Sequence, residues 1–134
     1  MKILSSLLLA VIPLLSCQKT GPKDIVVGKD QCDHCKMVIT DVKYATELVT
    51  EKGRVYKFDD ISCANSYKAS NTDQAKNGKT YVVDFPTGKF IEEKKAVFVQ
   101  GGSIKSPMGG NTQAFSDVAQ ARKAAANLGA KLLK

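Results

Sequence analysis

The stretch "YKFDDISCANSYKAS", residues 56–70, is echoed 57 positions later by "QAFSDVAQARKAAAN", residues 113–127. Both copies begin with a short extended run, share a Phe and an Asp, and continue into small residues suited to a helix. This repeat implies two β-β-α units packed into one small α+β domain.

Working outward, "VKYATELVTEKGRVYKFDD" contains two extended segments, about 43–50 and 53–58, joined by "EKG". Glycine in that short turn supplies the positive φ that a hairpin needs. Asp59 and Asp60 then stand where a helix start wants acidic caps, a simpler account of "FDD" than a hard-metal site, so the spacing predicts a helix over 61–70. "NTDQAKNGK" reads as a polar loop. "TYVVDFP" is a strand ended by Pro86, "TGKFIEEKK" a turn and short strand, and "AVFVQGG" a strongly β-prone run. "GSIKSPMGGNT" reads as a flexible glycine-rich loop, followed by a brief strand and an alanine-rich helix over 117–128.

The chain has 134 residues, 43% of them apolar, which suits one domain with a modest core. Its start, "MKILSSLLLAVIPLLSC", has the lysine and apolar run of an export signal over residues 1–16. The end of that run, "LLSC", is similar to a lipobox, which makes Cys17 the expected site of lipidation. Several acyl chains, each CH₂ contributing about 0.8 kcal/mol of burial, would anchor the protein stably on the extracytoplasmic side of a cell-envelope membrane. Residues 17–30 are then expected as a tether and 31–134 as the folded, metal-binding domain. Loss of Lys2 with the signal leaves 19 basic against 13 acidic residues, a net charge of +6. The lysines are scattered without interleaved aromatics, which speaks against nucleic acid and for anionic lipid or an acidic protein as partner.

Chemistry concentrates in "QCDHCKMVIT", residues 31–40, which places Cys32, His34, Cys35 and Met37 within six positions. With Cys17 committed to lipid, Cys32, Cys35 and Cys63 form an odd set that cannot all pair within one chain. A zinc reading has a definite layout: a C-x-x-C knuckle, a hairpin, then a helix whose first turn carries Cys63. It lacks the usual second helix cysteine and would need His34 or another ligand as a fourth donor. A Cu(I) reading rests on softness, because Cu(I) favours thiolate and thioether and accepts two or three ligands. Met37 and Met108, in the loop "PMGG", are then the telling residues. Each has a plainer reading beside it: Met37 as core filler, His34 as a solvated turn residue, Cys63 as a small buried hydrophobe. A thiol redox role is weaker, since a hairpin follows the motif where a helix N-terminus would be needed to lower the thiol pKa. No Ser/His/Asp set, P-loop or carboxylate pair appears, and a single histidine leaves most hydrolytic schemes without a base. The chain is therefore not expected to be an enzyme.

Taken together, "CDHCKMVI", "YKFDDISC", "AVFVQGGSIKSPMGGNTQAF" and the closing Ala-rich helix, in this order behind a lipobox, resemble the NosL family of lipoproteins. The resemblance implies a Cu(I)-binding chaperone that works with an ABC-type membrane complex in maturation of nitrous oxide reductase, in denitrification. It also implies a fold of two β-β-α units. By position, it makes Cys35, Met37 and Met108 the copper donors, with Cys32 or His34 as a further one. The family often has glycine where Lys36 stands here.

Overall fold

The computed structural model describes residues 20–133, and Cys17 lies outside them. Two antiparallel sheets, each with a helix of its own, make up the domain. In the first, β1 (Thr46–Val49) and β2 (Val55–Phe58) form the expected hairpin, and α1 (Ile61–Ser70) follows. A single helical turn, α2 (Thr72–Ala75), leads to β3 (Lys79–Val83) and β4 (Phe90–Glu92), and the strand order is β2-β1-β3-β4. In the second, β5 (Val97–Gln100) pairs with β6 (Thr112–Phe115), α3 (Val118–Leu128) follows, and β7 (Lys131–Leu133) returns to the free side of β5.

The repeat seen in the sequence is therefore a repeat of structure. Moving β2 and the start of α1 along by 57 residues lands on β6 and the start of α3, and the N-caps correspond: Asp60 accepts from Ser62 N–H, Asp117 from Gln120 N–H. Each cap satisfies one of the amides that a helix start leaves without an intrahelical partner.

Both units are larger than the expected β-β-α: β3 and β7 each add antiparallel to the first strand of their hairpin, and β4 extends the first sheet beyond β3. The short β7 carries no alternation that a sequence pattern could detect. It exists because Gly129, at φ +60°, ends α3 in a left-handed cap, with Ala130 N–H reaching back to Ala125 C=O at 2.9 Å. The hairpin begins at Thr46 and not at 43, since Asp41 caps a 3-10 turn over Val42–Tyr44. The polar loop also contains α2, which the composition hid.

Packing follows from these elements. Leu48, Tyr56 and Phe58 on the sheet meet Cys63 and Ala64 on α1, while Tyr67 lies 4.9 Å from Tyr56 and 5.2 Å from Phe58 between ring centroids. Val99 and Phe115 form the corresponding core with Ala121 and Ala125 of α3. The sheets meet where Asp84 and Ala114 form a parallel bridge, and the Asp84 carboxylate accepts from Ser116 N–H at 2.7 Å.

The expected tether is shorter than 17–30 within the described residues. From Lys23 the chain is held to the sheet: Lys23 N–H donates to Glu47 at 2.8 Å, Lys57 Nζ bridges the Asp24 carbonyl and the Asp30 carboxylate, and Ile25 packs with Ile39, Ala45 and Val83. Burial of the far face of β1 requires this cover, which a reading of composition alone could not anticipate.

Candidate metal centre

The C-x-x-C stretch folds as a tight knuckle. Cys32 N–H donates to Met37 C=O at 2.8 Å, and Lys36 N–H returns to Cys32 C=O at 2.9 Å. Closing so small a loop puts Lys36 at φ +66°, the left-handed region in which glycine is least strained.

Asp33, between the cysteines, docks the knuckle on β2, the edge strand of its sheet. Its N–H donates to Lys57 C=O and its carboxylate accepts from Lys57 N–H, both at 2.7 Å. This two-way bracket brings the cysteines beside the junction of β2 and α1. Cys63, on the first turn of α1, completes the knuckle, hairpin and helix order expected for a zinc-type layout.

Cys32, Cys35, Cys63 and Asp59 converge there, with one donor atom from each lying within 4.8 Å of all the others. Cys32, Asp59 and Cys63 are buried, whereas Cys35 is half-buried and forms the open side. All three cysteines are free thiols. Cys35 Sγ donates to Asp59 Oδ2 at 3.4 Å, and Asp59 Oδ1 is buried without a hydrogen-bond partner. An orphaned carboxylate oxygen is costly in a protein interior, and a cation among the thiols would relieve it. Burial pushes both the Cys35 and Cys63 thiols up, and Asp59 beside them adds to the rise. Such thiols are protonated at neutral pH and become thiolates when a metal displaces the proton. The same shift opposes redox catalysis, which needs a lowered thiol pKa.

Asp59 is the donor that the sequence reading sets aside in favour of helix capping. Helix capping accounts for only one of the pair Asp59–Asp60, because only one residue can occupy an N-cap. Asp60 takes that position and leaves Asp59 to face the sulfurs. An acidic doublet before a helix was thus the available signal. Cys63 is buried, as a small hydrophobe would be, yet its sulfur belongs to the cluster.

Of the other candidates, His34 stands outside this group. His34 is exposed, and Met37 and Met108 are 56% and 40% exposed. The loop bearing Met108, expected to be flexible, is tied down. Asp60 Oδ2 accepts from Ser106 Oγ at 2.6 Å and from Met108 N–H at 3.0 Å. Ser106 and Asn111 bracket the loop through two further hydrogen bonds. A Cβ at Gly110 would overlap the Asp60 carboxylate, so only glycine permits the approach. Burial is the largest influence on Asp60 and pushes it up, but the bonds from Ser106, Ser62 and Met108 outweigh it and hold the carboxyl below its usual value.

Fold and cluster together define a small α+β domain with a thiol–carboxylate group suited to holding a metal ion and open at Cys35. The NosL family model matches residues 25–134, and the chain belongs to the NosL family. Among solved structures, the copper chaperone NosL from Shewanella denitrificans shares the fold, with a TM-score of 0.72 at 22% identity over 87% of this chain and 94% of that one. No curated protein matches the chain.

Proposed function

We propose that this protein is an extracytoplasmic copper chaperone, anchored by lipid at Cys17, that binds Cu(I) and delivers it for assembly of the copper sites of nitrous oxide reductase, together with an ABC-type membrane complex. The observation that carries the reading is the convergence of three thiols within 4.8 Å of one another, with one of them half open to solvent. Three sulfurs satisfy Cu(I), which needs no tetrahedral cage. Family membership and the shared fold with a protein described as a copper chaperone support it.

The function is carriage, with no substrate bond made or broken. Cu(I) would enter at Cys35, the half-buried thiol on the open side, with the thioethers of Met37 and Met108 as outer donors that stay unprotonated in acid. Cys32 and Cys63 would hold the ion from the buried side. Release reverses the order: an incoming donor from the partner attacks on the Cys35 side before the buried sulfurs let go, so the ion is never free.

A second reading is favoured by Asp59, which supplies the fourth donor that a structural zinc site lacked on the sequence alone. Anaerobic titration of the reduced protein with Cu(I) and Zn(II) in parallel, each against a competing chelator, separates the two. The carrier reading expects one tight Cu(I) site weakened by Cys35→Ser and Met108→Leu. Tight Zn(II) with indifference to Met108, and unfolding on chelation, would overturn it in favour of a zinc-stapled interaction lipoprotein.

A further inference from the structure

Asp59 and Asp60 are adjacent, yet they serve different neighbours. Asp59 faces the thiols, whereas Asp60 faces the loop of Met108, 48 positions away in the chain. Asp60 is 1% exposed and divides its oxygens: Oδ1 accepts from the Ser62 N–H and hydroxyl, both at 2.9 Å, and Oδ2 accepts from Ser106 Oγ and Met108 N–H.

In the second unit, Asp117 caps α3 from an exposed position, and its one side-chain bond is to Gln120 N–H. Capping therefore explains one oxygen of Asp60 and not the other. The second oxygen, the glycine kept at 110 and the Ser106–Asn111 bracket all serve to hold one loop against the start of α1. That loop carries a part-exposed thioether at Met108, a residue that joins none of the buried apolar clusters.

We infer that Asp60 is the positioning residue that holds Met108 beside the thiol cluster, so that the loop contributes a preorganised outer donor to the bound ion. The inference rests on the Cu(I) reading above. Physically, the latch removes the ordering cost that a free glycine loop would incur each time it closed on metal. It also makes the rim and the buried thiols one mechanical unit, since Asp59, Asp60 and Cys63 lie within a single turn of chain.

Asp60→Asn tests the latch without removing the cap, because Asn and Asp cap helices about equally well. An amide keeps Oδ1 on Ser62 and leaves Met108 N–H facing a nitrogen that cannot accept. Cu(I) affinity would be measured by competition with a chromophoric chelator, using the full reduced chain in detergent. The proteins are wild type, Asp60→Asn, Met108→Leu and the double variant, with circular dichroism to check folding. The expected result is a loss of roughly tenfold for Asp60→Asn in the wild-type background and none in the Met108→Leu background. Equal losses in both backgrounds, or no loss in either, would overturn the inference. Ser106→Ala, which deletes one latch bond away from the helix, serves if Asp60→Asn does not fold, and the same non-additivity with Met108→Leu is required of it. Unchanged Cu(I) affinity in Met108→Leu also overturns the inference. The copper reading then stands or falls separately on Cys63→Ser, and a wild type that binds no Cu(I) would sink both.

Discussion

Lys36 shows how one residue records the demands of a knuckle. Its φ of +66° strains a side chain by about 1–2 kcal/mol, partly offset by the unfolded-state freedom that glycine would add. Lys36→Gly should therefore raise the unfolding free energy of the metal-free protein by roughly 0.5–1 kcal/mol, and Lys36→Val should lower it, in urea denaturation. Asp59 separates the two metal readings at the same scale. Its oxygen suits Zn(II) and contributes little to Cu(I) among three sulfurs. Asp59→Asn should weaken Zn(II) binding by about 10–100-fold and change Cu(I) affinity by less than about threefold, as read by chelator competition. A large Cu(I) loss would mean that the carboxylate is a copper ligand after all.

At the scale of the element, β1 carries an unusual burden. Glu47 lies on this central strand, fully buried, with Oε2 accepting from Lys23 N–H and Oε1 without a partner. Burial pushes its carboxyl up to about 7, against 4.5 when exposed, despite the Lys23 bond and the nearby Lys57 charge. The folded state thus keeps this proton to higher pH than the unfolded state does, so stability falls as pH rises from about 4.5 to about 7 and is flat above. The contribution is on the order of 1–3 kcal/mol. Glu47→Gln should flatten that slope and stabilise the protein at pH 8, measured by denaturant midpoints across the range. The helix caps give a contrasting case, because Asp117 serves only α3. Asp117→Ala should cost about 1 kcal/mol of stability and leave metal affinity unchanged.

At the scale of the whole molecule, two similar units do different work. The second provides Val99, Phe115, Ala121 and Ala125, a core remote in sequence from every thiol. Its helix carries Gln120 where α1 has Cys63, and Ser116 stands where the first unit has Asp59. The metal group is thus a specialisation of one copy on a scaffold whose second copy does not depend on metal. The demetallated protein should keep its near-native circular dichroism and a cooperative melt. Cu(I) at about 1,000 times its Kd should add roughly 4 kcal/mol to the unfolding free energy. Collapse of the spectrum on chelation would contradict this and return the cysteines to a structural role.

Much of the architecture was legible in the residues. The echo at 57 positions, the "EKG" turn, the acidic cap before α1, and the C-x-x-C knuckle all depend on hydrogen bonds and periodicities spanning a few residues. Pattern and composition determine features of that range. Cys63 on the first turn of α1, and hence the knuckle, hairpin and helix order, could be placed for the same reason. What only the tertiary structure decided is pairing over long separations: Cys35 with Asp59 across 24 positions, Asp60 with Met108 across 48, Lys23 with Glu47 across 24, and β7 with β5. Which of two adjacent aspartates turns toward the sulfurs follows from the N-cap geometry of α1 and the docking of the knuckle on β2. Neither can be read from a linear spacing, because each depends on where a distant strand edge and a distant loop come to rest.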